Sequence, residues 1–504
     1  MKRLLPWLLN LLWGGVLLAV SPVLLYRSLR HGKYRHSWRQ RLLGELPEMR
    51  GNSPRPRFWF HAVSVGEVLL LETVLDELAK REPPAEIVIS VTTHTGLDVA
   101  RQKFPEHTVC CFPLDFSWAV RRAIRRIQPT RIVLVELELW PNFILEAARA
   151  GVPLSLINGR LSERSFRGYS KAGWLMRRLI SSFDQLAVQS DEYARRFIEF
   201  GAEPDRVIVT GSVKFDRIAT DRENPQTKAL RAAFGLTSHE PVFVAGSTVA
   251  PEENVALEAW QEVRRQHPKL RLILVPRHKE RFEEVARLVE SRNLKLVRRC
   301  RLTGNSNPVP SPLGGEGARR AGEVAVQTAF DTPTPDPGSP SSGLRPPSPS
   351  SGEGTDQSLS VEAFLNDGLP PESPPVILLD TLGELSACWG LADFAFVGGS
   401  LANRGGQNMI EPAGYGAAIC FGPDTRNFRD VVAALLKRDA AKVVEDSIDL
   451  EETLLAWLAD RNAAEAQGTR AKDFVLSQHG ATSKTVDCLL LGETEQLEPV
   501  RRAA

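Results

Sequence analysis

The chain has 504 residues, 42% of them hydrophobic and 25% charged, the make-up of a folded globular protein with room for more than one core. Its 63 basic residues against 61 acidic ones leave a net charge of +2, so no global field favours nucleic acid as a partner. Six cysteines (Cys110, Cys111, Cys300, Cys388, Cys420 and Cys488) are scattered without CxxC spacing, which excludes a disulfide scaffold and argues against a zinc site.

From Leu4 to Tyr26 the sequence is nearly all apolar, with Trp7 and Trp13 inside it, close to the roughly 20 residues a helix needs to cross a bilayer. The stretch is long for a signal-peptide core and no A-x-A site follows it, so an uncleaved membrane anchor is expected. Arg27, Arg30, Lys33, Arg35, Arg39 and Arg41 come next and outweigh Lys2 and Arg3 on the other side. The positive-inside tendency then keeps the body of the protein in the cytoplasm, with the cationic collar resting on anionic headgroups.

Beyond the collar, short apolar runs alternate with helix-patterned stretches: Phe58 to Ala62, Ile87 to Val91, Ile132 to Val135, Leu154 to Ile157, Leu186 to Val188 and Val207 to Val209. This pattern predicts a parallel, doubly wound sheet. A second series runs through Val242 to Ala245, Leu272 to Val275, Val376 to Leu379, Phe394 to Val397 and Ile419 to Phe421, with Leu454 to Val475 read as a closing helix. The segment 303–375 is rich in Pro, Gly, Ser and Thr, a composition that cannot bury enough apolar area to order itself, and is read as a disordered insertion. The expected divisions are an anchor and basic segment over 1–45, a first α/β domain over 46–225, a second over 226–302 and 376–450, and a closing helix and tail over 451–504.

Open α/β sheets bind ligands beyond the carboxyl ends of their strands, so polar residues after the apolar runs are the candidates. His61-Ala-Val-Ser-Val-Gly-Glu67 ends the first run, and Glu67 there can take a proton from a hydroxyl. Ser64 and Glu67 also have the spacing of a capping box, which local sequence alone favours. Glu136-Leu-Glu138-Leu-Trp-Pro-Asn142 puts two carboxylates after another run, where either can orient a substrate or face solvent; alternation places both on one side of a strand. Lys214, in Gly211-Ser-Val-Lys214-Phe-Asp216, can neutralise a leaving phosphate or simply be exposed.

In the second unit Pro276-Arg277 ends a strand with a guanidinium suited to phosphate, and Asp380-Thr-Leu-Gly-Glu384 ends another. Gly398-Gly399-Ser400-Leu401 and Arg404 to Pro412 offer backbone amides and a helix start beside Glu411, which together point toward a nucleotide. G-x-G-x-x-G, G-x-x-x-x-G-K-[ST], D-x-D and H-E-x-x-H are all missing, which disfavours dinucleotide, P-loop and metal-dependent chemistry.

In order along the chain, HAVSVGE, ELELWPN, NGRLSERS, GSVKFD, VPRHKERF, DTLGEL, FVGGSL and RGGQNMIEP resemble the transferases of 3-deoxy-D-manno-octulosonic acid (Kdo) of lipopolysaccharide assembly, from His61 to about Asp430. The resemblance implies a GT-B architecture: two Rossmann-like domains face across a cleft, with an N-terminal membrane anchor. It implies CMP-Kdo on the second domain and a lipid A precursor on the first. It makes Glu67 the proton acceptor, which reverses the preference for a mere cap, and gives Glu136 and Lys214 transition-state stabilisation. Pro276 and Arg277, Leu382, Gly383 and Glu384, and Asn408, Met409, Ile410 and Glu411 resemble the segments that contact CMP. Gln407 and Met409 stand where many members have histidine and proline. No metal or other cofactor is expected, CMP-Kdo being a co-substrate, and the inner-membrane surface is the expected location. Arg160, Arg164 and Arg167, interleaved with Phe166 and Tyr169, are candidates for acceptor phosphates, or a solvated basic loop. The alternatives are a GT-B transferase of another activated sugar and a non-catalytic, membrane-tethered nucleotide-binding scaffold.

Overall fold

The computed structural model describes residues 5–31, 38–49, 55–81, 85–302 and 374–490. The Pro/Ser-rich insertion, apart from Pro374 and Pro375, lies outside the described residues.

Among the described residues, fourteen strands form two all-parallel sheets. The first has the order β3-β2-β1-β4-β5-β6-β7, from β1 (Arg57–Ala62), β2 (Glu86–Val91), β3 (Thr108–Cys111), β4 (Arg131–Val135), β5 (Leu154–Gly159), β6 (Gln185–Val188) and β7 (Val207–Val209). The second has the order β10-β11-β9-β8-β12-β13-β14, from β8 (Val242–Thr248), β9 (Arg271–Pro276), β10 (Leu296–Arg298), β11 (Val376–Leu378), β12 (Phe394–Val397), β13 (Ala418–Phe421) and β14 (Lys442–Val443). Helices cover both faces, which is why the strands read as continuous apolar runs. Phe58, Phe60 and Ala62 of β1 enter the core on one face and Trp59 enters the core on the other. In β8, Phe243 and Ala245 face one core, Val242 and Val244 the opposite one.

Each sheet has a topological switch point, between β1 and β4 in the first and between β8 and β12 in the second, where connections leave in opposite directions and a crevice opens. The closing segment is two helices, Ser447–Ala459 and Arg461–Ser477, because the Asp460 carboxylate accepts from Ala463 N at 2.9 Å and starts a new helix. A further helix over 481–490 returns to the first domain and buries Val486 and Leu489 in the core with Phe58 and Phe60. The crossing is tied by Asp216, whose carboxylate accepts from Gly480 N at 2.7 Å and from Thr482 N at 2.5 Å.

The apolar N-terminal stretch forms one helix, Leu5–His31. Its first turns pack against the first domain, with Leu5 and Leu9 in the core. Asn10 is buried there: its amide donates to Ser117 Oγ at 2.8 Å, and its oxygen accepts from Ser117 N at 2.9 Å and Asn142 Nδ2 at 3.3 Å. Trp13 Nε1 donates to Asp115 Oδ2 at 3.2 Å. Asp115 in turn accepts from Asn142 N at 3.0 Å and Phe143 N at 2.8 Å, supplying the cap that Trp140 does not give to the helix Pro141–Arg149.

Candidate active site

The loop after β1 turns at Val63 and Ser64 into the helix Val65–Arg81, whose first turn carries Glu67. The cap predicted from the sequence exists in a shifted form. Glu67 Oε2 accepts from Val63 N at 2.6 Å, one residue before the expected partner, and Oε1 accepts from the Ser64 hydroxyl at 3.1 Å. Glu67 is only 6% exposed. Burial, with Glu136 repelling it, pushes its carboxyl up to about 7, against the opposing pull of the Val63 amide, the Ser64 hydroxyl and Lys214. Cap and base are therefore compatible roles for one side chain. His61 is removed from the chemistry: fully buried, it stacks on Phe112 with ring centroids 3.6 Å apart, and burial drives its imidazole down to about 3 despite the Ser90 backbone bond.

Glu136 follows β4 with a φ of 60°, while its N–H still bonds to Ile157 O at 2.9 Å. The strand thus ends before the two carboxylates, and the strand alternation expected to place Glu136 and Glu138 on one side does not apply. Both nevertheless reach Glu67. Glu138 is raised to about 8 by burial and by the charge of Glu67, tempered by Trp140, with Glu136 adding to the rise. Lys214, from the loop after β7, donates to Glu136 Oε1 at 3.0 Å. Sequence reasoning gave Glu138 no role distinct from Glu136; the signal it lacked is this electrostatic coupling.

Arg160, just after β5, is placed inward: its guanidinium interacts with the Tyr193 hydroxyl and is felt by Asp430 and Glu136. Tyr193 also donates its hydroxyl to Asp430, a bond from the first domain to the second. Arg167 points outward, pairs with Glu163 at 2.8 Å, and does not join this group.

In the second domain Pro276 ends β9 and Arg277 follows, its N–H held by Thr248 O at 2.9 Å. The next loop sets Leu382 outward, 68% exposed, with Gly383 at a φ of 86°. Glu384 accepts from the Thr381 hydroxyl and pairs with Arg299 at 2.9 Å. Asn408 donates to Glu411 Oε1 at 3.0 Å and accepts from Ile410 N at 3.1 Å, while Met409 and Ile410 are buried in the core beneath. Met409 and Ile410 therefore offer packing under this segment, and Asn408 and Glu411 its polar edge.

One expectation is corrected. The amides of the Gly398 to Leu401 turn are not bare: the buried Glu252 carboxylate accepts from Gly399 N at 2.7 Å and from Ser400 N and Leu401 N at 2.9 Å each. Val249 N donates to it as well, at 2.9 Å. An anion already fills this nest, so the turn is a support for the site and not a phosphate cradle. The approach is close enough that a Cβ on Gly398 would lie 2.6 Å from Ser247 O and 2.8 Å from Glu252 Oε2. Nothing in the local sequence separates Glu252 from an ordinary acid in a first helical turn.

Residues 36–217 match the family of 3-deoxy-D-manno-octulosonic-acid transferases (kdotransferase). The chain is 27% identical over 457 residues to the 3-deoxy-D-manno-octulosonic acid transferase of Haemophilus influenzae, covering 90% of this chain and 91% of that one. It is 29% identical to the enzyme of the same name from Bordetella pertussis over 443 residues, 86% of each chain. Along most of its length the chain is similar to the Kdo transferases. Its own architecture is GT-B: two parallel-sheet, Rossmann-like α/β domains. Its two sheets match those of the UDP-GlcNAc 2-epimerase from Neisseria meningitidis at a TM-score of 0.52 and 11% identity, over 86% of this chain and 99% of that one, a likeness of fold alone. Glu67, Glu136, Glu138 and Lys214 lie at the switch point of the first sheet, where such folds hold their reacting groups.

Proposed function

We propose that this transferase moves Kdo from CMP-Kdo to a sugar hydroxyl of a lipid A precursor resembling lipid IVA, by a single inverting displacement. The carrying observation is Glu67, a buried carboxylate whose affinity for a proton is raised to about 7. A base tuned close to the working pH is the one best matched to removing a hydroxyl proton as the new bond forms. In this reading the acceptor oxygen gives its proton to Glu67 and bonds to the anomeric carbon of Kdo. The bond from that carbon to the phosphate oxygen breaks, and CMP leaves with the electron pair. Glu138, raised to about 8, is largely protonated at neutral pH and places no second negative charge beside the base.

The Glu136–Lys214 pair supplies fixed charge next to the reacting centre, and Arg277 with Glu384, Asn408 and Glu411 forms the nucleotide side. A leaving monophosphate carries less charge than a diphosphate, so side-chain cations suffice and no metal takes part. The apolar N-terminal helix and the basic residues that follow it in sequence support a reading in which the enzyme works at the inner membrane, with both catalytic domains on the cytoplasmic side.

The test is product mass after incubation of detergent-solubilised enzyme with lipid IVA and, in parallel, CMP-Kdo, CMP-sialic acid or a UDP-sugar. Kdo added only from CMP-Kdo is the expected result; transfer from another donor, or none from any, would reject the assignment.

A further inference from the structure

We propose that the N-terminal helix does not cross the membrane but lies in its interface, as an in-plane platform that the first domain covers on one side and phospholipid on the other. This rests on the membrane-bound reading above, and concerns how the anchor is seated.

The helix is docked where a span would be free. Residues 5, 6, 9 and 10 are buried and 13 and 14 half-buried, a stripe at helical spacing that faces the domain. Asn10, within the apolar stretch, is committed to Ser117 and Asn142 by three hydrogen bonds. If this stretch ran through the hydrocarbon, the helix Ser117–Ile127 would be carried in with it. That helix holds Arg121, Arg122, Arg125 and Arg126, each costing about 2.5–3.5 kcal/mol at the bilayer centre on insertion scales.

The remainder is too short to span alone. At a rise of about 1.5 Å per residue, Gly15 to Tyr26 reaches only about 18 Å, well short of the roughly 30 Å core.

What the docked turns leave outward is what an interface accepts. Trp7, Leu8, Leu11 and Leu12 are each more than 60% exposed on the face away from the domain. Trp118 is 46% exposed on the helix that the anchor packs against and adds an indole, the side chain favoured at headgroup depth. Helices that lie in an interface need a covered or polar opposite face, and here the protein provides it. Arg30, exposed near the end of the helix, then complements anionic headgroups.

The arrangement also brings the bilayer to the chemistry. Trp13 stands with its ring centroid 6.3 Å from that of Trp140, two residues beyond Glu138. A lipid-borne acceptor held at the outer face of the helix enters the cleft sideways, without leaving the membrane.

The test uses the full chain with a protease-cleavable epitope at each terminus, in inner membranes prepared as inverted vesicles and as spheroplasts. Both epitopes should be cut in inverted vesicles and neither in spheroplasts; an N-terminal epitope cut only in spheroplasts overturns the in-plane seating. Enzyme recovered in the soluble fraction would instead remove the membrane-bound reading, and the platform with it. Nitroxides placed singly at Leu8, Leu12 and Val16 in lipid vesicles give a second reading. Equal depths are expected, whereas a change of about 6 Å per step is what a span requires and would overturn the proposal.

Discussion

Lys214 Nζ sits 3.0 Å from Glu136 Oε1, and the two act on Glu67 in opposite senses: the ammonium favours the ionised base while the carboxylate opposes it. The proton affinity of Glu67 is thus set by a balance that either partner can tip.

The first prediction follows from that balance. With Glu67 in the proposed role of base, kcat/KM should fall as pH drops through about 7. Glu136→Gln removes a repulsion and should move this acidic limb to lower pH. Lys214→Met removes an attraction and should move it to higher pH, with a loss of transfer rate of about 10–1000-fold. A pH profile of each variant checks both directions.

Glu67→Gln retains an oxygen for the Val63 amide but takes no proton. Turnover should fall by about 10²–10⁴-fold while the melting temperature changes by no more than a few degrees. Near-normal turnover in a folded variant would take Glu67 out of the mechanism.

Glu138 gives a stability prediction with a definite sign. Its folded carboxyl is raised from 4.5 to about 8, so the native state holds the proton more tightly than the unfolded chain does. Below about pH 4.5 both states are protonated and burial costs no ionisation; as pH climbs from there through 8, the native state is progressively penalised. Glu138→Gln should therefore melt higher than wild type at pH 9, by on the order of 1–3 kcal/mol, with the gap closing by pH 4. Thermal melts at the two pH values suffice.

Glu252→Ala should damage the second domain without touching the base. It strands the amides of Gly399, Ser400 and Leu401, each costing about 1–3 kcal/mol when buried and unpaired. A marked drop in melting temperature and a raised KM for the sugar nucleotide are expected, with the pH limb of kcat/KM unmoved.

The parts of the fold that were legible in the sequence are those with dense apolar runs. The runs at Phe58, Ile87, Ile132, Leu154, Val242 and Leu272 all lie in strands, because a parallel sheet covered on both faces demands continuous apolar residues. Thr108–Cys111, Leu296–Arg298 and Lys442–Val443 are not legible: all three are edge strands of four, three and two residues, too short for an apolar run to register. The placement of Glu67 and Lys214 beyond strand ends was legible, and the structure brings both beside Glu136. Glu252 was not, because its partners lie about 147 residues away in sequence and the bonds are to backbone, which leaves no trace in residue type. Glu138 was given the wrong geometry because the positive φ of Glu136 ends the alternation on which the reading relied.

The chain passes between its lobes twice, and Asp216 clamps the returning thread against the outgoing one at Gly480 and Thr482. Two strands of polypeptide pinned side by side behave as a door hinge with a single pivot line: swinging is soft, sliding and twisting are stiff. Admission of a sugar nucleotide and discharge of the spent nucleotide should accordingly share one trajectory, and cutting the chain just before the last helix, with that helix left seated on the first lobe, should cost the enzyme its alignment before it costs either lobe its fold.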